Sequence, residues 1–141
     1  MSKDKAAGED LYGICCWTSD KGYHAWSKYG AIEMFGNGGH RATEVMLIAA
    51  AACLGFLLVE YAKERTLPVT NIHVSCNGKI AQRPERLERI TTNVVVEGLI
   101  SDAERKKMLT VCERACKVMN TLKNQPEIET VLMTPAGEVI T

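Results

Sequence analysis

No excess of charge of either sign runs through this chain: 17 Lys and Arg balance 17 Asp and Glu over 141 residues. That leaves no bulk basic surface for nucleic acid or anionic lipid, and neither partner is expected. A secretory signal is lacking too, since "MSKDKAAGED" is charged where a signal peptide has its apolar core. The longest apolar run, Val45 to Val59, covers fifteen residues, short of the roughly 20 of a membrane span. It reads as a buried core helix, and no membrane association is expected. No C-x2-C pair occurs among the six cysteines, and His24, His40 and His73 are scattered; neither a structural metal nor a cofactor is expected. Without a signal peptide the cysteines are expected as free thiols in a reducing cytosol, which makes the protein cytoplasmic.

What is present fits one ordinary domain over residues 1–141, with 1–10 as a flexible tail. "LYGICCWTS" reads as β, "DKG" as a turn at Gly22, and "YHAWSKYGAIEMFG" as one or two strands broken at Gly30. "GNGG", residues 36–39, is a hinge. A helix is predicted from near Thr43, whose hydroxyl is suited to cap it, with Glu44 in its first turn. It is apolar nearly all round to Val59, so burial on most sides is expected. The helix then meets water over "EYAKER", from Glu60 to Arg65, and stops at Pro68. "VTNIHVSCNGKIAQ", residues 69–82, reads as a strand with Asn77-Gly78 offering a break or turn, and "RPERLERITTNVVVEGL" as a charged connection and then a strand from Leu87 or Ile90 to Val96, the two strands joined as a hairpin. Ser101 and Glu104 make a capping box that opens a second helix with Met108, Cys112, Ala115, Met119 and Leu122 on its buried stripe. Asn124-Gln125-Pro126 stops that helix, and "EIETVLMT" closes with a strand. The fold class is α+β. Because one small chain cannot cover the first helix, a tight homodimer is the expected solution.

Cys53 lies in "AAAACLGF", and from residue type alone it is either a small core hydrophobe or a thiol kept for chemistry. The same choice holds for Cys116 beside Cys112, with Cys112 a competitor for any role Cys116 has. Cys15, Cys16 and Cys76 read as ordinary strand residues. Trp17, Tyr23, Trp26 and Phe35 are candidates for an apolar pocket over a thiol, although strand aromatics are core residues by default.

"ATEVMLIAAAACLGF", residues 42–56, resembles the central helix of the OsmC/Ohr family, whose pattern runs roughly P-x-E-L-L-x-A-A-x-A-x-C with a reactive cysteine at its end. Glu44, Leu47, Ala49, Ala51 and Cys53 fit it or lie close to it. "TLPVTNIHVSCNGKI", "RLERITTNVVVEG", "ERACKVMNTL" and "PEIETVL" resemble the segments that follow in that family, in order. The resemblance implies an OsmC-like fold, an intertwined homodimer with its sites at the subunit interface, and thiol-dependent reduction of organic hydroperoxides in oxidative stress defence. It assigns Cys53 as the peroxidatic thiolate and Cys116 as the resolving thiol, with a Cys53–Cys116 disulfide reduced by a dithiol, in some members carried on a lipoylated protein.

A thiol in apolar surroundings ionises poorly, so this chemistry needs a cation. The family's active members use an arginine from the N-terminal strands, held by a glutamate ten residues before the cysteine. Here that position is Thr43, and Glu44 is the nearest acid; it completes the candidate set with Cys53 and Cys116. On a continuous helix, Glu44 is about half a turn round from Cys53. The first arginine is Arg41, so the substitute cations in sight are Arg41, Lys28, Lys21 and His24. An alternative function follows from that gap: an OsmC-fold dimer, catalytically weakened, that binds a small apolar ligand at its interface.

Overall fold

The computed structural model describes residues 11–35 and 38–141, so the tail expected over 1–10 and part of the 36–39 hinge lie outside the described residues. The elements run β1 (Ile14–Thr18), β2 (Gly22–Ser27), β3 (Gly30–Ile32), α1 (Ala42–Glu64), β4 (Val69–Ala81), β5 (Arg86–Gly98), α2 (Asp102–Ala115) and α3 (Lys117–Lys123). This is the expected α+β class. β1, β2 and β3 form one antiparallel sheet in that order, and β4 with β5 forms a second. Gly22 turns the first hairpin at φ +70, a conformation that costs glycine little.

The β4–β5 hairpin carries the alternation that made it legible: Ile90, Thr92, Val94 and Val96 turn inward while Thr91, Asn93, Val95 and Glu97 face out. α1 lies across this hairpin, chiefly along β4, and α2 packs on α1 from the other side. Leu54, Leu58, Tyr61, Ala62, Met108, Cys112 and Cys116 make the core, flanked by Ile72, Val74, Val94 and Val96. The corner from β5 into α2 is closed by one side chain. The Arg105 guanidinium donates to the carbonyls of Val96 at 2.9 Å, Gly98 at 2.9 Å and Ile100 at 2.6 Å. Ser101 caps α2 by accepting from the Glu104 N–H at 3.1 Å, as the capping-box pattern predicts.

Several expectations are corrected. α1 starts at Ala42 behind Arg41, which makes no side-chain cap; Thr43 is already inside the helix and does not cap it. Its far end stays in the core longer than "EYAKER" implied, because Tyr61 and Ala62 are buried and water is met only from Lys63. The helix stops at Glu64, before Pro68, through two reversed hydrogen bonds, Thr66 N–H to Lys63 C=O and Leu67 N–H to Ala62 C=O, with Thr66 at φ +50. Asn77-Gly78 is no turn; both lie within β4, where a Cβ on Gly78 would meet Leu87 Cδ2 at 2.7 Å, and the hairpin turns over 82–85 instead. The second helix breaks at Cys116, whose ψ of 107 is extended. That break swings Val118 and Met119 onto the core and leaves Ala115 and Leu122 exposed. Residues 127–134 form no strand; Met133 makes one bridge to Val139, and Ile128 and Leu132 are exposed. A strand needs an edge to pair with, and in one chain this segment reaches the edge of neither sheet.

α1 itself is buried along one stripe only: Ala50, Leu54, Leu58, Tyr61 and Ala62. Ile48 and Phe56 are 49% and 50% exposed, so the burial on most sides that its composition demands is not met within one chain. At 23 residues it is also long and apolar enough to cross a membrane by length and composition.

Candidate functional site

Cys53 sits in the middle of α1, three residues after buried Ala50 and beside buried Leu54, so it borders the core stripe and is half-buried. Cys116 is fully buried at the break between α2 and α3, serving as the last cap of one helix and the first of the next. The fold brings these two thiols, 63 positions apart in sequence, together at the core: Cys53 packs against the buried cluster that contains Cys116. Burial pushes the Cys116 thiol up from its ordinary 9.0. The N–H of Met119 pulls it down, the hydrogen bond and charge of Cys53 raise it again, and the N–H of Val118 opposes them. Cys116 is therefore held protonated.

Cys112, one turn earlier on α2, is also buried. Burial raises its thiol above 9.0, the Arg65 guanidinium lowers it, and Cys116 raises it further. It lines a small cleft of about 80 Å³ with Leu57, Tyr61, Glu64, Arg65, Val111 and Ala115. Arg65 lies over the Tyr61 ring, 3.7 Å from its centroid. Sequence reasoning missed Arg65 as a cation near a thiol. The i, i+4 spacing of Tyr61 and Arg65 signals their own contact at the end of α1, and nothing local signals Cys112 beside them.

Other candidates are not gathered in. Glu44 is exposed in the first turn of α1. Nine residues of helix separate it from Cys53, about 13 Å and half a turn. It lines a groove with His40, Leu47, Ile48, Ala51, Val74 and Cys76. Arg41 precedes the same turn and is further still. Lys21, His24 and Lys28 belong to the N-terminal sheet, which makes no extended packing on α1. His24 Nε2 lies 2.9 Å from the Lys21 carbonyl, and Lys28 Nζ lies 5.0 Å from the Tyr29 ring centroid. Trp17, Tyr23 and Phe35 cluster on that sheet, with ring centroids 6.5 and 5.0 Å apart, and so form no roof over Cys53 in a single chain. Cys15 and Cys16 are exposed, and Cys76 meets Thr92 Oγ1 at 3.3 Å across the hairpin. Among the described residues no group of three or more His, Cys, Asp or Glu is placed to hold a metal ion.

Solved structures share this arrangement. An OsmC-like protein from Mycoplasma pneumoniae superposes with a TM-score of 0.73 at 16% identity, over 84% of this chain and 91% of its own. A hypothetical protein from Aquifex aeolicus gives 0.71 at 19%, over 86% and 92%. An organic hydroperoxide resistance protein from Elizabethkingia anophelis gives 0.66 at 13%, over 86% and 93%. These likenesses establish the fold. No curated protein matches the sequence. The model of one family, described as OsmC-like protein, matches residues 35–131, spanning α1, the hairpin and both cysteine-bearing helix segments, and the chain belongs to the OsmC-like family.

Proposed function

We propose that this protein is a homodimeric thiol peroxidase that reduces organic hydroperoxides through Cys53 and Cys116. The observation that carries the reading is the contact between those two thiols, one half-buried and one fully buried. The thiolate of Cys53 is the form that attacks. Cys53–S⁻ displaces the alcohol from ROOH, giving Cys53–SOH and, after protonation of RO⁻, ROH. The Cys116 thiol then condenses with the sulfenic acid, releasing water and closing a disulfide. A dithiol, free or carried on a lipoylated protein, returns both cysteines to thiols by two exchange steps.

The homodimer belongs to this reading. α1 and β4 border an apolar groove of about 480 Å³ lined by Ile48, Ala51, Ala52, Gly55, Phe56, Val59, Ile72 and Val74. Ala51, Ala52 and Gly55 let a second backbone come close, and a second copy of the chain is the occupant we assign. It would also bring its own N-terminal sheet, with Lys21, His24 and Lys28, toward Cys53. The same groove favours the second reading, a dimer that holds a small apolar ligand and has unreactive thiols. Cumene hydroperoxide consumption by the reduced protein, beside Cys53→Ser and Cys116→Ser variants with thiols counted by mass, decides between them. Loss of two thiols that requires Cys53 supports the peroxidase. Equally slow reaction of all three proteins removes it and leaves the ligand-binding reading.

A further inference from the structure

Cys112 has no part in the two-thiol cycle, yet it lies with Cys116 in the same core cluster, against which Cys53 also packs. Cys116 stands between two possible partners: Cys53 across the helix packing, and Cys112 four residues back along α2. Four helical residues separate Cα atoms by about 6 Å, inside the roughly 4.4–6.8 Å range that a disulfide bridges, and Cβ atoms by about 5–6 Å, so the bond closes only with a shift of roughly 1–2 Å at one end. Cys116 is also the residue at which the helix has already broken, with ψ 107. That break between α2 and α3 is where a local backbone shift brings the buried sulfur to one partner or the other. Beyond Cys112 the cleft opens beside Arg65 and Tyr61. At about 80 Å³ it has room for roughly three waters, or a thiol on a short methylene arm.

We propose that Cys112 is the exit thiol of a three-cysteine relay, in which the disulfide formed at Cys53 and Cys116 moves to Cys112 and Cys116 and is reduced through the cleft beside Arg65. This rests on the peroxidase reading for the source of the first disulfide. In the transfer, the Cys112 sulfur attacks Cys116 Sγ, the Cys53–Cys116 bond breaks, and the proton lost by Cys112 is balanced by the one regained at Cys53. One disulfide and one thiol enter, and one of each leaves. Burial raises the Cys112 thiol and the Arg65 guanidinium partly offsets that rise, and Arg65 borders the cleft by which a dithiol arm reaches it. The peroxide side and the reductant side are thereby separated: Cys53 faces peroxide, and Cys112 faces the cleft near the C-terminal end of α1.

The full chain, reduced, is mixed with one equivalent of cumene hydroperoxide, alkylated at successive times and mapped by peptide mass spectrometry. The expected sequence is Cys53–Cys116 first and Cys112–Cys116 as it declines. Cys112→Ala, which keeps the site apolar, is expected to stop at Cys53–Cys116 and to be re-reduced by dithiothreitol at least tenfold more slowly. Persistent Cys53–Cys116 in the wild type with Cys112 still a thiol overturns the relay and leaves the peroxidase intact. If hydroperoxide oxidises nothing in a Cys53-dependent way, the peroxidase reading falls. The lower half of the relay is then judged with diamide, which takes two electrons and two protons from a thiol pair. Cys53→Ser under diamide must yield Cys112–Cys116, and its absence overturns the proposal.

Discussion

Burying a thiol strips away the water that would solvate its thiolate, and Cys112 and Cys116 are both buried. Both are raised above 9.0 in the fold. Between the unfolded-chain and folded-state values the unfolded chain has released protons that the native protein keeps. The stability these groups contribute is therefore complete below about pH 9 and is lost as pH rises through the folded value, by up to about 1.4 kcal/mol per pH unit for each thiol. Urea midpoints of the reduced protein should fall above pH 9, and more steeply than those of a Cys112→Ala/Cys116→Ala double variant. Parallel curves for the two proteins would remove the effect. Met108, fully buried one turn before Cys112 on α2, is the plain packing counterpart: Met108→Ala should cost about 2–5 kcal/mol in urea unfolding, and a loss under about 1 kcal/mol would mean that the α1–α2 seam is loose. At this scale Cys53 and Cys116 were legible only through family resemblance, because residue type alone left both as core candidates. The Arg65–Cys112 pairing was not legible at all. It exists only where the end of α1 meets the middle of α2, and no local pattern announces a contact across 47 positions.

The element ends carry their own strain. Thr66 closes α1 at φ +50, a left-handed position where a β-branched residue costs about 1–2 kcal/mol and glycine is preferred. Thr66→Gly should stabilise the protein by about 0.5–1 kcal/mol, read as a rise in melting temperature, while a fall would mean that the Thr66 methyl or hydroxyl does more than this geometry implies. Gly98 is the opposite case. At φ +147 a Cβ there would collide with the Pro68 carbonyl oxygen and crowd Val69 Cα at 2.8 Å. Gly98→Ala should therefore cost at least about 2 kcal/mol and loosen the corner that Arg105 holds, visible as faster amide exchange at Gly98 and Leu99. Elements with a strong local pattern were read correctly: the period-2 alternation of β5, the S-x-x-E box of α2 and the turn at Gly22. Where a residue's meaning depended on a neighbour, reading failed. Asn77-Gly78 looks like a turn until Leu87 fills the space over Gly78. "EIETVLMT" looks like a strand, but in one chain it reaches the edge of neither sheet.

For the molecule as a whole, the question is what covers α1. Its length and apolar character suit a bilayer, but β4 and β5 lie along it as a two-stranded sheet with unpaired outer edges. Open strand edges are not tolerated in hydrocarbon, where every backbone polar group must be satisfied internally. A protein surface is the better cover: it supplies apolar contact for Ile48 and Phe56 and leaves the sheet edges free to pair or to meet water. The groove beside them is lined by residues of α1 and β4 alone, so a single patch suffices for a self-complementary two-fold contact. Burying half-exposed Phe56 in such an interface contributes about 1–2 kcal/mol per subunit, and a carboxylate in its place has no partner there. Sedimentation equilibrium should give twice the 15.5 kDa chain mass for the wild type and a monomer for Phe56→Glu. If the second copy also supplies a cation to Cys53, that monomer should lose hydroperoxide consumption while its helix content is retained. A Phe56→Glu protein that stays dimeric would move the interface elsewhere. A monomer with full activity would separate assembly from chemistry, and the activating charge would then have to be sought within one chain.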